Sequence, residues 1–115
     1  MKTENNGPPE LTALGLETRV IKEFLDIIIL CELKARGELT GYDLALLERE
    51  KFGVSLSPGT VYMTMYAMER KGLIAGKSNG KKTAYSLTVK GDRALEAVKV
   101  SGADLFEFIN CVFSF

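Results

Sequence analysis

The sequence predicts a mainly α fold that carries one small β-hairpin and ends on a long helix. Three observations lead to this. Two central segments place apolar residues at helical spacing between capping residues and a closing glycine. Two short alternating stretches are joined through Asn79-Gly80, a pair suited to a tight hairpin turn. A final helical pattern is too apolar to stand alone in water. At 115 residues the chain suffices for one domain, and 46% hydrophobic content marks it as globular.

Residues 1–9 read as a disordered lead, polar and closed by Pro8-Pro9, with no apolar core of a signal peptide. From about Glu17 to Arg36 the spacing predicts one long first helix, with Val20, Ile21, Phe24, Leu25, Ile28 and Leu33 on one side. Ile27, Ile29, Leu30 and Cys31 make it apolar nearly all round, so it needs cover on both faces. Gly37 supplies the stop. Thr40 with Asp43 forms a capping box that opens a second helix, buried through Leu44 and Leu47 and ended by Gly53. Ser57 as N-cap and Pro58 at the first helical position start a third, whose buried stripe is Val61, Met65 and Met68. Leu73 to Lys77 and Lys82 to Leu87 are the hairpin strands, and Thr88 caps a last helix reaching about Phe113.

The 15 basic and 15 acidic side chains cancel overall, but not locally. Residues 1–69 carry a net charge of −4, and residues 92–115 a net of −2. Between them Arg70, Lys71, Lys77, Lys81, Lys82 and Lys90 stand with no acid, a net of +6. Such a block is either a solvated hairpin or a cationic surface for phosphates. With no histidine, no paired-carboxylate motif and no Gly-rich phosphate loop, an enzyme is not predicted, nor any metal or cofactor. The longest apolar run, Ile27 to Cys31, is far short of the ~20 residues of a membrane helix. Cys31 and Cys111, 80 positions apart, are expected to be buried thiols in a reducing cytoplasm; a redox link between them is the lesser alternative.

Three helices, a hairpin and a fourth helix, with a short turn before Ser57, make the order of a winged helix-turn-helix. With Val61, Met65 and Met68 inward, the third helix turns Gly59, Met63, Tyr66 and Arg70 outward, flanked by Thr60 and Tyr62. That face holds no acid, which favours recognition of a nucleic acid over mere solvation. Ser57 and Thr60, at the helix N-terminus, suit a phosphate oxygen, although Ser57 also serves as an ordinary cap. Lys77, Lys81 and Lys82 bracket the wing tip as point charges for phosphates, and Asn79 is the turn residue. Met63 suits a thymine methyl and serves equally as a plain surface residue.

Four motifs also carry a family resemblance. Gly37-Glu38-Leu39-Thr40-Gly41-Tyr42-Asp43-Leu44 resembles the Gly-x-Leu-x-Gly-Tyr-(Glu/Asp)-(Ile/Leu) segment of PadR-like transcriptional regulators. Ser57-Pro58-Gly59-Thr60-Val61-Tyr62 is similar to that family's start of the recognition helix, and it is the specific match of the four. Met68-Glu69-Arg70-Lys71-Gly72-Leu73-Ile74 and Tyr85-Ser86-Leu87-Thr88-Val89-Lys90-Gly91 resemble its Leu-Glu-x-x-Gly-Leu-Ile and Tyr-x-Leu-Thr-x-x-Gly signatures. The resemblance implies a homodimeric regulator, usually a repressor, on a pseudo-palindromic operator, with DNA roles for Tyr42, Ser57, Thr60 and Tyr62. A single final helix is similar to the family's smaller branch. The chain departs from the pattern at Met63, where many members have proline, and in a wing of lysines where arginines are common. It also lacks tryptophan, so a ligand pocket built on that residue is not implied.

The organisation expected is a lead over residues 1–9, a DNA-binding winged helix-turn-helix over 10–88, and a dimerisation helix over 89–115. The dimer face is expected to include Phe24, Ile28, Leu105, Phe108, Ile109, Val112 and Phe113. Space near Phe24, Phe106 and Phe108 is either a filled dimer core or a place for a small apolar or aromatic effector. The function expected is sequence-specific binding of double-stranded DNA by a cytoplasmic homodimer that controls transcription, with no membrane partner. The alternative is a winged helix used as a protein-interaction module.

Overall fold

The computed structural model describes residues 7–115. Their order is α1 (Ala13–Glu23), α2 (Leu25–Arg36), β1 (Glu38–Thr40), α3 (Gly41–Phe52), α4 (Pro58–Arg70), β2 (Ile74–Ser78), β3 (Thr83–Leu87) and α5 (Val89–Val112). A 3-10 turn, Pro9–Leu11, precedes α1. Of the expected lead, residues 1–6 lie outside the described residues, and Pro9 already belongs to the turn.

The single first helix expected from Glu17 to Arg36 is two helices. Thr12 caps α1 by accepting the Gly15 N–H at 3.1 Å, so helix begins four residues earlier than the apolar spacing suggests. At Phe24 the backbone leaves the helical region (φ −104°, ψ 20°). Asp26 Oδ1 accepts the Ile27 N–H at 2.8 Å, competing for a donor that a continuous helix would direct to Glu23. The break separates two burial regimes, since α1 buries only Ile21 while α2 buries Leu25, Ile29, Leu30 and Leu33.

Those α2 residues form the centre of the core with Leu44 and Leu47 of α3, Val61, Met65 and Met68 of α4, Ile74, Tyr85 and Leu95. The predicted α4 stripe is fully enclosed, Val61 and Met65 having no exposed surface. Glu32 of α2 is also buried, and its charge is met by Lys51 of α3 at 2.6 Å and Arg36 at 3.3 Å. A buried carboxylate is tolerable on these terms because both neighbours are cations.

The sheet is antiparallel in the order β1-β3-β2. The three-residue β1 is an addition to the hairpin read from sequence; it pairs Leu39 with Tyr85 and Thr40 with Ala84. Pairing on both sides thus makes β3 central, and β2 is the outer strand of the wing.

Thr88 accepts the Gly91 N–H at 3.0 Å and starts α5, which Lys34 ties to α2 through Asp92 at 2.6 Å. Its 24 residues extend about 36 Å. Beyond Leu95 no residue of this helix is buried, and Leu105, Phe106, Phe108, Val112 and Phe113 are exposed. The cysteines correct the expectation of buried thiols, because both are exposed in the single chain. Cys31 lies on a flank of α2 away from the core, and Cys111 on the free half of α5. Ile27 and Leu105 share one apolar hollow while Lys34 meets Asp92, so α2 and α5 run antiparallel. Counted from those two contacts, Cys111 is about 15–24 Å from Cys31 along the axes, too far for a disulfide within one chain. Among the described residues no helix is long and apolar enough to cross a membrane.

Candidate nucleic-acid interface

The helix-turn-helix is α3 and α4. Thr40 and Asp43 close the capping box at the start of α3, with the Thr40 N–H donating to Asp43 Oδ2 and the Asp43 N–H to Thr40 Oγ1, both at 3.1 Å. The hydroxyl of Thr40 and then its backbone N–H hold the Asp43 carboxyl below its ordinary pKa, with Lys82 and Arg36 adding to the effect. This cap fixes the first turn of α3 and leaves Tyr42 standing out from it, 67% exposed.

Ser57 accepts the Thr60 N–H at 3.2 Å, and the two hydroxyl oxygens lie 2.8 Å apart. Both hydroxyls therefore sit together at the N-terminus of α4, with Gly59 open beside them. Met63, 72% exposed, is followed one turn on by Tyr66 and then by Arg70 at the end of α4, all on the outer face. Tyr62 is half-buried on the flank, its ring centroid 6.2 Å from that of Tyr66.

In the wing, Asn79 is the turn residue, and its side-chain oxygen accepts the N–H groups of both Lys81 and Lys82. Gly80 takes the positive φ (96°) that the turn requires, which a Cβ would oppose. Lys77, Lys81 and Lys82 are all exposed. One cation of the basic block is used internally instead, since Lys90 Nζ donates to the Lys71 carbonyl at 2.7 Å, at the negative end of α4.

The first turn of α3, the flank of α4 and the base of the wing enclose a cleft of about 400 Å³. The four tyrosines of the chain, Tyr42, Tyr62, Tyr66 and Tyr85, all line it, with Lys81, Lys82, Thr83 and Asp43. Burial, then the nearby Glu69 carboxylate, pushes the Tyr85 hydroxyl above its ordinary pKa. Of the residues singled out from sequence, Tyr42, Tyr62, Tyr66, Lys81 and Lys82 are brought together here. Ser57, Thr60, Met63, Arg70 and Lys77 are not among the lining residues of the cleft. Tyr85 and Gly41 complete the site and were not assigned to it from sequence, although both fall inside the quoted motifs.

A larger, shallow hollow of about 580 Å³ lies elsewhere, where Leu16, Val20 and Phe24 face Phe113. It opens on the unpaired apolar surface of α1 and α5 and carries neither the lysines nor the tyrosines of the wing side.

A two-helix turn with an acid-free outer face, flanked by a lysine-bearing hairpin, defines a winged helix-turn-helix DNA-binding protein. The profile of the transcriptional regulator PadR-like family matches residues 29–97. The chain belongs to that family of DNA-binding regulators, which are not enzymes. A PadR family transcription regulator from hypervirulent Clostridium difficile R20291 is 29% identical, with 79% of this chain and 99% of that one covered and a TM-score of 0.68. A PadR-like transcriptional regulator from Bacillus cereus strain ATCC 14579 is 28% identical over 84% of this chain and 98% of that one, with a TM-score of 0.67. Bacillus subtilis PadR, solved in complex with operator DNA, is 29% identical over 64% of this chain, with a TM-score of 0.55. The match spans only 45% of that longer protein. Comparison with curated proteins yields no match.

Proposed function

We propose that the protein is a homodimeric repressor that binds a pseudo-palindromic operator. The observation that carries the reading is the outer face of α4, where Gly59, Met63, Tyr66 and Arg70 are exposed and carry no acid, Glu69 standing on the Tyr62 flank, with the wing lysines alongside. In this reading α4 enters the major groove by its N-terminus, with Met63 and Tyr66 toward base edges. Ser57 and Thr60 meet a phosphate at the helix N-terminus, Tyr42 and Tyr62 line the approach of the backbone, and Arg70, Lys77, Lys81 and Lys82 neutralise further phosphates. Residues 10–88 act as the DNA-binding unit and 89–115 as the dimerisation helix, all within the cytoplasm.

The exposed stripe Leu105, Phe108, Ile109, Val112 and Phe113, with Phe24 and Ile28 near the α1–α2 break, supports pairing of two copies. For a two-fold dimer the half-site centres fall about 34–36 Å apart or at a multiple of that distance. The hollow that supports a place for a small apolar or aromatic effector beside the dimer contact is lined by Phe24 with Phe113, and not by Phe106 or Phe108 as expected.

The test is selection of bound duplexes from a random pool at low and moderate salt, with sedimentation of the same sample. The reading expects a dimer that enriches a two-fold symmetric site. If the dimer neutralises about 6–10 phosphates, its affinity falls by ~10³–10⁵ between 50 and 200 mM salt. A folded protein that retains no duplex at either salt would overturn it and leave the protein-interaction alternative.

A further inference from the structure

Glu69 lies in the last turn of α4, at the negative end of the helix dipole and beside a surface read above as phosphate-facing. Both circumstances disfavour a carboxylate there. Its Oε2 nevertheless has a specific partner: it accepts the backbone N–H of Gly76, in β2, at 3.0 Å. The strand geometry explains why that amide is free. Asn79 N–H bonds the Lys82 carbonyl, and bonded pairs alternate along an antiparallel ladder. Gly76, opposite Tyr85, therefore falls at a non-bonded position, and its N–H points away from β3, from the outer edge of the sheet.

The contact needs residue 76 to lack a side chain. A Cβ there would lie 2.9 Å from both Thr83 Cγ2 and Tyr85 Cε1, and 3.0 Å from Glu69 Oε2 itself. Glu69, Gly76 and Tyr85 thus close on one another at the junction of α4 and the wing. Lys77 is the next residue along β2, and the wing tip follows it directly.

We propose that Glu69 is a positioning residue of the DNA-binding surface, its carboxylate latching the wing to α4 through the Gly76 N–H. The latch fixes the angle at which the wing lysines stand relative to the recognition helix. Its cost is one negative charge near DNA, and its return is a wing set before binding rather than ordered during it. The proposal rests on the DNA-binding reading for its functional half only.

The experiment compares the full chain with Glu69→Ala and Glu69→Gln by amide hydrogen exchange and by titration of the selected operator duplex. Both variants remove the charge, but glutamine keeps a side-chain oxygen able to accept the Gly76 N–H. Glu69→Ala is expected to speed exchange at Gly76 about 3–10-fold while Val61 and Met65 amides stay unchanged, and Glu69→Gln to restore most of the protection. On DNA, Glu69→Gln should bind at least as tightly as the parent chain. Glu69→Ala should bind several-fold more weakly than Glu69→Gln, with a shallower salt dependence as wing contacts are lost. Unchanged Gly76 exchange in Glu69→Ala would overturn the latch. Equal DNA affinities of the two variants, with Gly76 exchange altered, would overturn its role in positioning. A parent chain that binds no duplex would count against the regulator reading, while the exchange data would still decide whether the latch exists.

Discussion

The ring of Tyr62 lies directly over Gly41: a Cβ at position 41 would stand 2.6 Å from Tyr62 Cε1 and 3.3 Å from its hydroxyl oxygen. The first residue of α3 is therefore shaped by a side chain of α4, and the missing methyl group is what lets the aromatic flank of the recognition helix settle. Gly41→Ala should push the Tyr62 ring outward and cost roughly 1–3 kcal/mol of stability, the range for overpacking. Operator affinity should fall as well. Urea unfolding and a duplex titration check both effects, and unaltered values in both would show that the ring moves aside freely.

A sharper steric limit applies at the start of α5. A Cβ on Gly91 would come within 2.0 Å of the Leu73 carbonyl oxygen, so backbone meets backbone and neither side can turn away. Gly91→Ala is expected to destabilise by more than about 2 kcal/mol. Gly59→Ala, in open space on α4, should instead gain up to about 1 kcal/mol from helix propensity. Paired denaturation curves for the two variants test the contrast.

The pH dependence has two arms of opposite sign. Asp43 has a depressed folded pKa, caused first by the Thr40 hydroxyl, so its stabilisation is present above the ordinary value of 3.8 and is lost as pH falls through the folded value. Lys34 has a raised pKa through its hydrogen bond to Asp92, so its stabilisation is present below 10.5 and is lost as pH rises through the folded value. Both groups are well solvated, so each effect should be small. Asp43→Asn should flatten the acid arm of a melting-temperature profile, and Lys34→Met the alkaline arm.

Reversing the wing charge separates the two classes of partner. Lys81→Glu with Lys82→Glu places acids at two exposed positions of the wing that form no ion pair among the described residues. Sedimentation should not change and melting temperature should fall only slightly, through loss of the Lys82 attraction to Asp43, while duplex binding should be abolished at moderate salt. Retained binding would move the contact surface away from the wing.

Local chemistry was legible in the sequence wherever a residue and its partner are three or four positions apart. The Thr40–Asp43 box, the Ser57 and Thr88 caps and the Val61, Met65 and Met68 stripe are all of this kind. What escaped depends on distant partners. Three residues, Glu38–Thr40, are too few to announce a strand, and β1 exists because β3 is there to pair with. The break at Phe24 has no proline or glycine to mark it, only the Asp26 side chain competing for one N–H. The four tyrosines are scattered from position 42 to 85, and only the folded chain gathers them into one cleft. The exposure of Cys31 and Cys111 follows from where α2 and α5 lie, which periodicity does not state.

The central strand has an effect on what can vary. Thr40, the cap of α3, is in register with Ala84, and Lys77 of the outer strand faces the same residue from the other side. Residues 83–87 thus work as a fixed ruler between the helix-turn-helix and the hairpin, and a one-step slip along it would turn every side chain to the opposite face. Residues 79–82, beyond the ruler's end, carry no such obligation. Length and charge can therefore change in that tip without disturbing the register that joins the two halves of the scaffold.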